Sequence, residues 1–150
     1  MRAVIQRVEK ATVKVRGKVV GSIRLGLVVF LAVENGDQEK DVEFLKRKIL
    51  NLRVFLDSRD KMNLSVLEVE GQVLVISQFT LYGDCRKGNK PSYSRAADPV
   101  WAEKLYRRLI EMISDEGVKT PSGKFRAMMR VEMVNDGPVT LIVDSKRKFY

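Results

Sequence analysis

Residues 77–80, Ser-Gln-Phe-Thr, follow the apolar run Val-Leu-Val-Ile and set two hydroxyls, an amide and an aromatic ring side by side. Two readings of that group are open. It can end a strand, with the hydroxyls satisfying local backbone and Phe79 entering the core. It can also line a small pocket where Ser77, Gln78, Thr80 and backbone N–H groups converge on a reacting ester. A second segment, Asn135-Asp136-Gly137-Pro138, carries turn chemistry: glycine after Asn-Asp, then proline where a strand begins and a missing donor matters least. Locally it reads as a hairpin turn, and nothing nearby demands a cis Gly137-Pro138 bond.

The chain has no histidine and one cysteine, Cys85. An internal disulfide is therefore impossible, and a His/Cys zinc site is excluded. Ser-His-Asp and Cys-His arrangements are excluded too, because no imidazole exists to act as base. Catalysis must use carboxylates, lysine, hydroxyls, backbone groups or a group on the substrate. No cofactor and no metal is expected. Cys85 reads as a passenger, although Arg86 and Lys87 beside it favour a thiolate.

Lys and Arg number 28 against 19 Asp and Glu, a net charge of +9. Such an excess favours polyanions, nucleic acid before anionic membrane, or serves solubility alone. Arg86, Lys87, Lys90 and Arg95 crowd one loop around Tyr93, and Lys146-Arg147-Lys148 precedes Phe149-Tyr150. Both clusters can grip phosphates and stack on an unpaired base. The bland alternatives are a solvated loop and a frayed end.

The elements that must position these groups follow from periodicity. At 150 residues, with 45% hydrophobic and 31% charged, one globular domain spanning 1–150 is expected. The longest apolar run, 27–33, is strand-sized and far below the ~18 residues of a membrane span. No secretory block opens the chain, so a cytosolic location is expected. Strands are predicted over 2–8, 11–16, 19–23, 25–33, 53–56, 73–78, 127–134 and 139–144, with 64–70 hairpinned into 73–78. Helices are predicted near 38–51, with Asp37 as N-cap, and from Asp98-Pro99 to before Gly117. The sum is an α+β (mixed α/β) single domain of mostly antiparallel, barrel-like strands with two main helices.

Taken together, the opening MRAVIQRVEKATVKV, then VGSI, GLVVFLAV, MNLSV, SQFTLY, KGNKPSY and NDGPVT resemble the D-aminoacyl-tRNA deacylases in order and spacing, over essentially the whole chain. That resemblance implies a homodimer that hydrolyses the ester between a D-amino acid, or wrongly placed glycine, and the 3′ end of tRNA. It implies that Gly137-Pro138 is a cis dipeptide entering the partner subunit's pocket, with Arg7 steadying it from beneath. An L side chain would meet that backbone and a D side chain would point away. Ser77, Gln78, Phe79 and Thr80 would line the site, and the N–H groups near Phe79 and Thr80 would hold the oxyanion. Thr80 as nucleophile ranks below a mechanism led by the terminal ribose 2′-hydroxyl, for want of a base. Three positions depart from the family pattern: Arg24 after VGSI, Arg126 in place of a small residue, and Met128 in place of a frequent acid. Two rivals remain, a non-catalytic RNA-binding module and a dimeric interaction protein whose Gly-Pro turn only shapes an interface.

Overall fold

The computed structural model describes residues 1–147, so Lys148, Phe149 and Tyr150 of the expected stacking tail lie outside the described residues. The sheet is organised around β1 (Arg2–Val15). Along one edge β1 pairs antiparallel with β3 (Gly26–Ala32) over residues 2–8 and with β2 (Lys18–Ile23) over 11–15. Along its other edge it pairs with β7 (Arg130–Asp144) over 2–14. β3 then pairs in parallel with β6 (Gln72–Ser77). A small ribbon of β4 (Phe55–Leu56) and β5 (Met62–Leu64) stands apart. The result is a half-barrel of mixed strands with two helices, α1 (Glu39–Asn51) and α2 (Pro99–Ser114).

Alternation of side chains explains the layers. Leu27, Val29, Leu31, Val73 and Val75 face the helices, where Val42, Leu45 and Ile49 of α1 and Leu105, Leu109 and Ile113 of α2 complete the larger core. Val28, Leu74 and Ile76 face the other way, into a smaller core with Val8, Val13 and Ile23. β6 is thus buried on both faces, which is why its sequence is apolar without interruption. Parallel pairing with β3 is close at Gly26, where a Cβ would stand 1.9 Å from the Gln72 carbonyl oxygen.

Four expectations are corrected. The predicted strands 2–8 and 11–16 are one strand, bent where the registers shift. Residues 127–134 and 139–144 likewise belong largely to one strand, β7, so Asn135-Asp136-Gly137-Pro138 is not a hairpin turn. Residues 64–70 do not hairpin into β6: β6 aligns in parallel with β3, because burial on both faces outweighs the local turn signal. Asp37 does not cap α1. It is buried, accepts from the Glu34 N–H (2.6 Å) and pairs with the Met1 amine (2.7 Å) and Lys146 (3.0 Å). Gln38 takes the cap position, where the Asp41 carboxylate accepts its N–H at 2.8 Å. Asp98 caps α2 as expected, accepting from the N–H groups of Val100 and Trp101. No helix of the described residues is long and apolar enough to cross a membrane.

Tyr106 ties α2 to the sheet: its hydroxyl donates to the Val75 carbonyl at 3.0 Å. Burial pushes its phenol up to about 12, so the folded chain keeps a proton that the unfolded chain gives up near 10. That contribution is complete below pH ~10 and is lost as the pH rises through 12. Urea unfolding from pH 9 to 12 should therefore show falling stability, with a shallower fall in Tyr106→Phe. At neutral pH the same variant should lose about 1 kcal/mol, since the Val75 carbonyl keeps the Gly123 N–H at 2.9 Å.

Candidate active site

β6 delivers Ser77 to the C-terminal end of the only parallel pair among the described strands. The Gln78 N–H extends that pairing by one bond, donating to the Leu31 carbonyl at 2.7 Å. The chain then winds into a single 3-10 turn, Phe79–Tyr82. Tyr82 anchors the turn from below. It is buried, with the guanidinium carbons of Arg2 and Arg95 at 4.6 and 5.5 Å from its ring centre, and Arg2 also donates to the Leu81 carbonyl. Within the turn the Leu81 N–H reaches the Gln78 carbonyl. The amides of Phe79 and Thr80, at its start, have no backbone acceptor among the described residues. Such leading N–H groups are donors held ready for an incoming oxygen.

A cavity of about 570 Å³ opens beside this turn. Ser77, Gln78 and Phe79 line one wall. Thr80 does not line it; its hydroxyl instead accepts from the Gln78 side-chain amide and so fixes that side chain. Phe79 is not a core residue: it is 58% exposed and meets the Tyr93 ring edge-on at 5.1 Å. The opposite walls come from Ala97, Ala102 and Tyr106 of the α2 region and from the segment holding Phe125, Arg126 and Met128. Sequence reasoning missed the α2 wall. Its signal was the run of small residues Ala96, Ala97 and Ala102, whose side chains leave room where larger ones would fill it. Arg126 and Met128, two of the family departures, do sit at the cavity; Arg24 does not line it.

Gly137-Pro138 lies elsewhere. The peptide bond between them is cis. β1 and β7 lose register at this point: Gln6 faces Thr140 and Val8 faces Asn135, leaving residues 136–139 opposite Arg7 alone. The resulting bulge is tied by the Val139 N–H donating to Asn135 Oδ1 at 3.0 Å and by Thr140 Oγ1, which accepts from Gln6 and Asn135. Arg7 is 5% exposed beneath it. One arm of its guanidinium donates to the Val54 carbonyl, and Nε stands 2.9 Å from Asp136, an ion pair whose N–H is not aligned on the carboxylate as a hydrogen bond. Arg7, Gly137 and Pro138 therefore form one unit, but none of them lines the cavity beside Ser77 in the same chain.

The basic loop is partly neutralised. Arg86 grips Asp84 through a fork of bonds that holds this carboxyl far below the usual range, and Arg95 pairs with the buried Glu34. Among the described residues, no carboxylate or lysine lines the cavity. What the site offers is hydroxyls, an amide and unused N–H groups on a rigid strand end. Groups of this kind can donate to an oxygen on which negative charge develops.

Residues 4–144 match the family model described as D-Tyr-tRNA(Tyr) deacylase. The D-aminoacyl-tRNA deacylase of Desulfatibacillum aliphaticivorans is 58% identical over 97% of this chain and all of its own length. That of Thermosipho melanesiensis is 54% identical over 99% of this chain and all of its own. A solved structure described as c-Myc DNA Unwinding Element Binding Protein is 39% identical and superposes with a TM-score of 0.90, covering 96% of this chain and 98% of that one. A second, described as a probable eukaryotic D-amino acid tRNA deacylase, shares the fold at a TM-score of 0.81 and 20% identity, over 95% and 98% of the two chains. The chain belongs to the D-Tyr-tRNA(Tyr) deacylase family and is a hydrolase acting on ester bonds.

Gly137 has a φ of +119°, and a Cβ there would stand 2.9 Å from an Arg7 guanidinium nitrogen and 2.8 Å from Val139. Gly137→Ala should therefore destabilise the chain by about 2 kcal/mol in urea unfolding, as both backbone and neighbour must shift. An unchanged midpoint would mean that Arg7 does not brace this segment.

Proposed function

We propose that residues 1–150 act as one deacylase unit that frees tRNA from D-amino acids, and from misplaced glycine, by hydrolysing the ester at the terminal ribose. The observation that carries this reading is the cavity at the end of β6. Ser77, Gln78 and Phe79 line it, and among the described residues two amides without a backbone acceptor lead the adjoining turn and no carboxylate, lysine or imidazole lines the cavity. The ester carbonyl oxygen sits against the amides of Phe79 and Thr80 as it becomes tetrahedral, a contact worth about 10²–10³ in rate per donor. The ribose 2′-hydroxyl activates the attacking water, and the protein positions the parts. Tetrahedral collapse breaks the ester bond and releases the D-amino acid and the ribose hydroxyl of free tRNA. Thr80 is a positioning residue in this scheme, consistent with its hydrogen bond to Gln78 and its place outside the cavity wall.

Chirality is read by exclusion. In a homodimer, Gly137-Pro138 of one subunit enters the other's cavity, and Arg7 holds it there. Two facts favour a partner's cavity over the chain's own: the dipeptide does not line the latter, and it stands exposed in a bulge of β7. With no side chain on Gly137, backbone meets the substrate Cα directly. An L side chain clashes with that backbone, a D side chain points away, and glycine has nothing to clash. Because the filter never touches the D side chain, many D-amino acids are accepted. The net charge of +9 attracts tRNA through phosphate contacts that carry no sequence information, and the enzyme works in the cytoplasm without metal or cofactor.

Incubation with D-Tyr-tRNA and L-Tyr-tRNA should deplete the D ester at least a hundredfold faster. RNA binding without turnover would favour the non-catalytic module instead. Thr80→Ala should keep turnover within about tenfold of native, whereas a 2′-deoxy terminal adenosine should abolish it. A folded but inert Thr80→Ala protein on normal substrate would restore Thr80 as nucleophile.

A further inference from the structure

Arg126 is the one charged side chain among the described residues that line the cavity. It has no ion-pair partner among them, whereas Arg2, Arg7, Arg86, Arg95, Arg107 and Arg108 are each held by a carboxylate. Its presentation is built into the backbone. The Ala127 N–H donates to the Lys124 carbonyl at 3.1 Å, closing a tight turn in which Arg126 occupies the third position with φ +60°. Glycine takes that conformation freely and arginine does not, so the chain holds a strained residue at the cavity with its cation exposed. Met128, 92% exposed, lines the same mouth and adds an apolar surface beside the charge.

We infer that Arg126 is an anion-binding residue of the active-site cavity, taking a substrate phosphate or carboxylate oxygen there. The inference rests on the deacylase reading. An aminoacylated tRNA end offers such oxygens at two places: the phosphate entering the terminal nucleotide, and the side chain of an acidic D-amino acid. The forked guanidinium suits either one. A cation beside an apolar side chain also matches a nucleotide end, whose phosphate and base face need one contact of each kind. The rest of the described lining is uncharged, so Arg126 is the charge that it presents to an entering substrate.

The test compares Arg126→Gln, Arg126→Lys and Arg126→Gly with the native protein. The substrates are D-Tyr-tRNA, D-Asp-tRNA, and D-Tyr esters of adenosine with and without a 5′-phosphate. Arg126→Gln should raise KM about tenfold on D-Tyr-tRNA and on the phosphorylated ester, with kcat within about twofold, and should raise it several-fold less on the unphosphorylated ester. Arg126→Lys should recover most of the loss. Arg126→Gly should share the KM rise without a lower melting temperature, which separates lost charge from lost fold. A rise confined to D-Asp-tRNA also supports anion binding and assigns it to the carboxylate. The inference is overturned by a KM unmoved on every substrate, by a rise equal with and without anionic groups, or by a loss confined to kcat. Native protein inert towards D-Tyr-tRNA would sink the deacylase reading and this one with it; active native protein indifferent to Arg126→Gln sinks this one alone.

Discussion

Arg7 occupies the point where β1 and β7 lose register, and its buried guanidinium holds the four residues of β7 that have no strand partner. Burying an arginine costs several kcal/mol unless its donors find acceptors. Here the Val54 carbonyl, at the entrance to the β4–β5 ribbon, accepts from one arm, and the Asp136 carboxylate in the bulge supplies the opposing charge at 2.9 Å. The same side chain fills the space under Gly137, where a methyl group would collide with it. Strand β1 thus does two jobs with one residue. It carries the sheet along both edges, and at Arg7 it converts a break in the ladder into a fixed feature. Without that support, residues 136–139 would be a loose loop, unable to keep a dipeptide in register with anything.

The second constraint is at the other end of the sheet. β6 is buried on both faces and locked to β3 by parallel pairing, so its C-terminal end has little freedom. Open sheets place ligands at such strand ends because the chain must leave the sheet there, freeing backbone groups. In this chain it leaves through a 3-10 turn anchored by Tyr82, whose own position depends on Arg2 from β1 and Arg95 from the loop. The rigidity of the sheet is passed to the amides of Phe79 and Thr80 through few bonds. Oxyanion stabilisation needs donors that do not reorganise as charge develops, and in the proposed reading this strand end would supply them.

Much of this was legible in the sequence. The two helices, the Asp98-Pro99 start and the polar end of an apolar strand at 73–76 follow from periodicity and capping. The Asn135–Pro138 segment reads as a turn because glycine and asparagine signal a break in extended chain without saying whether the chain reverses. What decides between turn and bulge is Arg7, which lies about 130 positions away and has no local signature. Asp37 failed as a cap for a similar reason: the Met1 amine and Lys146 reach it only after folding. Phe79 reads as a core residue from hydrophobicity alone, yet its partner is Tyr93 in the loop. The cavity's far wall was invisible because small residues such as Ala97 and Ala102 mark absent volume, and absent volume leaves no periodicity.

The missing imidazole and the bulge at Gly137 are linked by the chemistry of the proposed substrate. An aminoacyl ester is already activated, and a vicinal ribose hydroxyl lies beside it, so a protein base adds little that positioning does not. A site whose described lining holds no carboxylate, lysine or imidazole has no need of a deep, shielded pocket that would also recognise the amino acid. In the proposed reading it works with backbone on both sides: amides from the 3-10 turn would meet the carbonyl, and glycine the α-carbon. Backbone is the same for every substrate side chain, so in that reading selectivity would rest on handedness, and breadth would follow from the same cause. Any side chain that adds charge to such a surface, as Arg126 does, introduces a preference that the rest of the site is built to lack.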